Sequence, residues 1–181
     1  MRGKRLVAVL AGAMLLASCA STIEHPIPGG PSFEDQEVRF VAPTGWEIQR
    51  STSLSHGPDQ IRRYLANQPL RPDCNAEALC QSPLANGLRP GGMFVVWTAS
   101  SCVAKECELP SARLISIGNR QGVRVPMTLG CEGTGFTERS AYYVTVTPQR
   151  VDILFTCARD PDDGTRSAFL GFLDAIHWRI P

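Results

Sequence analysis

Six cysteines, Cys74, Cys80, Cys102, Cys107, Cys131 and Cys157, are the densest set of reactive side chains in the body of this chain. Three chemistries are open to them: structural disulfides, ligation of a soft metal, and thiolate catalysis. In an exported protein an even set reads first as disulfides, and the sequence leaves the connectivity open. Proximity and flanking loop residues favour Cys74 with Cys80 and Cys102 with Cys107. Cys131 and Cys157 then remain, and a simple meander would place an intervening strand between them, at a separation of ~9.5 Å that exceeds the ~7 Å reach of a bridge. The metal alternative is poorly served, because C-x5-C and C-x4-C depart from the usual knuckle spacing. No C-x-x-C motif supports redox catalysis. The sequence therefore calls for no metal and no cofactor.

Other candidate groups are sparse. His56, in Ser53-Leu-Ser-His-Gly-Pro-Asp59, has a serine and a carboxylate close by in the chain, but a triad gathers its members from different elements and no G-x-S-x-G elbow is present. It reads as a loop histidine. Asp160, Asp162 and Asp163 beside Gly164 lack calcium-loop spacing and read as helix caps. His177 closes a helix, His25 reads as a solvated linker residue, and Glu34 with Asp35 reads as a solvated face.

The clearest pattern lies at the start. Met1-Arg-Gly-Lys-Arg5 is cationic, and Leu6 to Ala17 is an apolar run of 12 residues. That is too short for a hydrocarbon core of ~30 Å, which takes about 20 helical residues, so residues 1–18 read as a signal peptide. Leu16-Ala17-Ser18-Cys19 resembles the lipobox of bacterial lipoproteins. The resemblance implies cleavage before Cys19 and acylation of its thiol, which makes the membrane itself a partner through the lipid. Because Ala20 and not Asp follows, it implies the periplasmic face of the outer membrane sooner than the inner one. Residues 19–32, with three prolines and two glycines among Ala20 to Pro31, read as a flexible tether. Thirteen extended residues, Cys19 to Pro31, reach at most ~45 Å.

Removing residues 1–18 takes away Arg2, Lys4 and Arg5, so 18 basic and 17 acidic residues become 15 and 17, a net charge of −2. No basic surface for nucleic acid is expected. Of the 163 remaining residues 28 are Gly or Pro, which predicts one loop-rich globular domain, residues 33–181.

The elements that must position these groups follow from periodicity. Val38 to Ala42 alternates and breaks at Pro43-Thr-Gly-Trp46, predicting a strand, a turn and an aromatic covering the core. Asp59 before Ile61, Tyr64 and Leu65 predicts a short N-terminal amphipathic helix, and a helical turn is expected around Ala76 to Leu79. Met93 to Trp97 predicts a strand buried on both faces. Leu114 to Ile117 and Val123 to Cys131 predict strands around a loop from Gly118 to Gly122, with Pro126 marking an edge or a bulge. Ala141 to Thr147 and Val151 to Cys157 predict a hairpin. Phe169, Phe172, Leu173 and Ile176 line one face of a capped helix, expected to pack on Val151, Ile153 and Phe155.

The strand into Pro43-Thr-Gly-Trp46, the antiparallel region ending in Val151-Asp-Ile-Leu-Phe155, the helix with Phe169 and Leu173, and a short terminal strand together resemble the PsbP-like α/β/α sandwiches. The resemblance covers residues 36 to 48 and 112 to 180 and leaves out the cysteine-bearing stretch 70 to 110. It implies an α+β fold, a mostly antiparallel sheet packed by a C-terminal helix and a short N-terminal helix. A disulfide-stapled all-β sandwich is the alternative. It also implies binding or scaffolding sooner than catalysis. The expected function is thus a non-catalytic lipid-anchored envelope protein with an envelope protein as partner. An envelope hydrolase with a loop-built site, His56 serving as base, is the competing reading.

Overall fold

The computed structural model describes residue 25 and residues 28–51, 62–71, 84, 87–101, 110–128 and 135–179. In chain order the strands are β1 (Ser32–Glu34), β2 (Val38–Val41), β3 (Glu47–Ser51), β4 (Arg62–Ala66) and β5 (Gly92–Ser101). They continue as β6 (Arg113–Ile117), β7 (Arg120–Pro126), β8 (Glu138–Thr147) and β9 (Arg150–Arg159). Helix α1 (Asp163–Asp174) and β10 (His177–Trp178) end the fold.

Seven strands form one antiparallel sheet in the order β3-β4-β5-β9-β8-β7-β6, and β1-β2-β10 form a second. This is an α+β arrangement dominated by antiparallel sheet. Helix α1 and the small sheet share one face of the large sheet, and the main core fills the space between them. Phe40 of β2, Phe169, Phe172 and Leu173 of α1, and Trp178 of β10 meet Trp97, Leu154, Tyr142 and Val144 of the large sheet. Rings interlock there: Phe40 lies 5.4 Å from Phe172 in an edge contact, and Trp97 lies 5.3 Å from Trp178.

The hairpin of β8 and β9 turns at Pro148-Gln149 as expected, Met93 to Trp97 lies within β5, and Trp46 is buried behind the Pro43 turn. Asp162 caps α1 by accepting a hydrogen bond from the Thr165 N–H at 2.6 Å. Pro126 sits at a local edge. Its neighbour Met127 donates to the Arg139 carbonyl (3.3 Å), so the Pro126 nitrogen faces away from β8, where β6, whose pairing ends at Arg113 with Arg124, no longer reaches.

Four expectations are corrected. The stretch expected to be the short N-terminal helix is a strand over its described part, Arg62 to Ala66. It lies between β3 and β5 with Arg63 and Leu65 on one face and Tyr64 and Ala66 on the other. Both faces are covered to some degree, so the alternation that marks a strand is blurred into an apparent helical stripe. Helix α1 packs on the face of β9 that carries Leu154 and Ala158, whereas Ile153 and Phe155 are half-buried on the opposite face. Strand β7 ends at Pro126, and its turn from β6 needs only Gly118 and Asn119. Finally, backbone pairing begins before Phe33: Gly30 N–H donates to Ala42 O and Ala42 N–H to Pro31 O, both at 2.9 Å, and Ser32 is already opposite Val41 in β1.

Candidate functional site

Strand register brings a polar group together where α1 crosses the large sheet. Arg124 of β7 lies opposite Tyr142 of β8, and Ser140 lies opposite Thr156 of β9. These four side chains share the face that α1 covers with Arg166, Phe169 and Leu170. They surround a cavity of about 100 Å³ whose apolar wall includes Met93, Phe169 and Leu170. At the strand ends an open groove of about 480 Å³, also lined by Arg124, continues past Pro126, Met127 and Phe136.

The sequence folds this way because β7 runs past the end of β6. Arg124 is the last residue of β7 that β6 pairs, so its long side chain lies at an opening in the layer above the sheet. Arg124 Nε and Nη2 both donate to Ser140 Oγ (3.2 and 3.1 Å), and the guanidinium lies over the Tyr142 ring at 5.9 Å. Among the described residues Nη1 has no hydrogen-bond partner. Nearby Glu138 is engaged by Arg166 at 2.5 Å, and Asp163 also pairs with Arg166 at 3.2 Å. Burial pushes the Tyr142 phenol above its ordinary value, against the pull of the Arg124 charge and the Ser140 hydroxyl, so Tyr142 keeps its proton at neutral pH.

A second polar group lies inside the molecule. Arg63 is 0% exposed, sandwiched between the rings of Phe33 (5.3 Å) and Trp97 (5.0 Å). Its Nη2 donates to Asp35 Oδ2 (2.7 Å) and Glu37 Oε2 (3.4 Å), while Nε and Nη1 have no hydrogen-bond partner. Glu37 also meets Arg150 at 2.5 Å; Arg150 Nε donates to the buried Asp152 at 2.6 Å, and Asp152 accepts from Trp97 Nε1 at 2.7 Å. Burial alone would raise the Asp35 carboxyl. The Arg63 hydrogen bond and the backbone N–H groups of Glu37 and Val38 outweigh it and hold Asp35 below the usual value. Glu37 is lowered chiefly by its hydrogen bond from Arg150. This network ties the small sheet to the large one. Asp35 is therefore an interior ion-pair partner and not part of a solvated face, whereas Glu34 is exposed and pairs with Arg179 at 2.6 Å.

The face of the large sheet opposite the helix carries apolar side chains among polar ones such as Thr98 and Thr145. Tyr64, Val96, Tyr143, Ile153 and Phe155 are half-buried, and Leu114 is 68% exposed. Toward one end a smaller cluster of Leu70, Leu84, Leu88, Phe94 and Cys157 covers it.

Of the residues singled out by type, Cys157 lies in that cluster, 2% exposed and disulfide-bonded. Cys19, Cys74, Cys80, Cys102, Cys107, Cys131, His56 and Asp59 lie outside the described residues, as do the signal segment and the turn around Ala76. His25 is half-buried, its Nδ1 enclosed without a hydrogen-bond partner, so it is not a freely solvated residue. His177 is exposed on β10. Asp162 and Asp163 serve the helix, and the Asp160 N–H donates to Thr137 Oγ1 at 2.7 Å. The Arg124 and Arg63 groups are absent from the sequence reading. Their signal is a charged residue inside a strand pattern, as in Arg150-Val-Asp152, which becomes meaningful only when register shows what lies opposite. No described helix is long and apolar enough to cross a membrane. No family model, curated protein or solved structure matches this chain.

Proposed function

We propose that this chain is a lipid-anchored envelope protein whose folded body is a non-catalytic protein-binding or scaffolding module. In this reading acyl chains on Cys19 hold it to the membrane, and the residues before Gly30 let the body stand off the lipid on the periplasmic side of the outer membrane. Leu16-Ala17-Ser18-Cys19 supports the anchor. The Pro43 to Trp46 turn, the long β8–β9 hairpin and the capped helix leading into a short strand support a PsbP-like sandwich as the scaffold.

The observation that carries the binding role is the sheet face opposite α1. Leu114 is exposed, and across the buried Val123 the same face carries half-buried Tyr143, Ile153 and Phe155. An exposed large apolar side chain on a sheet face is costly in water, and extended apolar surface marks contact sites. A photoreactive amino acid at position 114, activated in intact envelopes, is expected to crosslink one predominant envelope protein. The same group at exposed Gln149, at the β8–β9 turn, should not. Equal, diffuse crosslinking from both positions would defeat the binding role.

A further inference from the structure

We propose that the cavity beneath α1 binds a small monocarboxylate with a short apolar tail, the carboxylate seated on Arg124. This inference does not depend on the envelope partner proposed above. Three observations carry it.

The first is the state of Arg124. Among the described residues no carboxylate pairs with it; one neutral hydroxyl, Ser140 Oγ, takes Nε and Nη2, and Nη1 has no hydrogen-bond partner among them. The two hydrogen bonds to Ser140 Oγ and the cation–π contact with the Tyr142 ring hold the guanidinium in place. An oriented guanidinium with a free edge is the preorganised partner of a planar two-oxygen anion.

The second is charge. Arg166, in the cavity wall, pairs with both Glu138 and Asp163, and among the described residues neither carboxylate pairs with Arg124. That leaves the Arg124 charge to face the opening, and one planar guanidinium matches a monocarboxylate better than a phosphate dianion. The Tyr142 phenol, kept protonated by burial, adds a donor within the cavity wall.

The third is shape. The wall of the cavity of about 100 Å³ includes Met93, Ala158, Phe169 and Leu170. This is room for a few carbon atoms in an apolar setting, with the charged group left at the Arg124 mouth.

The test is calorimetric titration of the detergent-solubilised full chain with butyrate, against a detergent-only blank, and with inorganic phosphate and butylammonium as competing probes. Butyrate is expected to bind; phosphate is expected to bind at least tenfold more weakly, and butylammonium not at all. Arg124→Gln should weaken butyrate about tenfold or more, the loss of a charge-assisted pair. Arg124→Lys should recover only part of that, since the point charge remains and the planar fork is lost. Arg124 is exposed, and an unchanged circular dichroism spectrum would show that each variant is folded. No butyrate binding by the wild-type chain overturns the proposal, as does binding that Arg124→Gln leaves intact. Phosphate binding equal to or tighter than butyrate overturns the ligand class.

Discussion

Taking a guanidinium out of water costs several kcal/mol unless charge and hydrogen bonds replace the lost hydration. Arg63 has Asp35 and Glu37 on one edge and the faces of Phe33 and Trp97 above and below. Removing the closer carboxylate leaves the cation buried with a single, longer ion pair. Asp35→Asn is therefore expected to lower stability by about 3 kcal/mol, while Glu34→Gln, on the exposed rim, should stay within about 0.5 kcal/mol. Denaturant midpoints of the two variants check this. The same network sets an acid limit. Both carboxyls are held below their ordinary values of 3.8 and 4.5, so their stabilisation is complete above those values and is lost as pH falls through the lower folded-state values. The unfolding midpoint should accordingly be flat from pH 7 to about pH 5 and fall below it. Glu37→Gln should remove part of that fall, and an identical acid profile in the variant would count against the network as its cause.

Among elements, α1 carries the most consequential side chains. Phe169 is 3% exposed and stands edge-on to Tyr142 at 5.3 Å, so Phe169→Ala should leave a cavity and cost about 3 to 5 kcal/mol. An unchanged midpoint would mean that the helix is not anchored by its apolar face. The turns make a finer comparison. Gly91 and Gly118 both have positive φ, +78° and +59°. A Cβ at Gly91 meets nothing within 4 Å, whereas one at Gly118 would lie 1.6 Å from the Ile176 carbonyl oxygen. Gly91→Ala should cost only backbone strain, about 1 kcal/mol. Gly118→Ala must also displace the connection from α1 to β10 at Ile176, and should cost clearly more in the same chemical unfolding experiment. Near equality would show that the approach of Ile176 to Gly118 is not a tight constraint.

For the molecule as a whole, the two faces of the large sheet differ in what covers them. One is closed by α1 and the small sheet; the other carries the disulfide-bonded Cys157 and an apolar surface only partly enclosed. The proposed anchor would tether the body that carries this surface to a membrane. Cys19→Ser should then shift the chain from the detergent to the aqueous phase, or leave it unprocessed. A processed Cys19→Ser chain that still partitions like wild type would sink the anchor. Labelling of the denatured, unreduced protein should find no free thiol among the six body cysteines; two or more would argue for a metal or reactive role instead.

Local chemistry determined much of this protein. The Pro43 turn, the strand at Met93 to Trp97, the β8–β9 hairpin and the capped α1 are legible because each depends on neighbours within a few residues: a break, a cap, or a run of apolar side chains. Tertiary structure decided the rest. Tyr64 and Leu65 read as one helical face but point to opposite sides of β4, and the side of β9 that meets α1 is the one carrying Leu154, a shift of one residue from Ile153. When both faces of a strand are apolar, its pattern does not say which face is which. The Arg63 network and the Arg124 cavity were equally hidden. Each joins residues from three or more elements, and the partners that give a lone charge its meaning are set by strand register and by the layer packed above it.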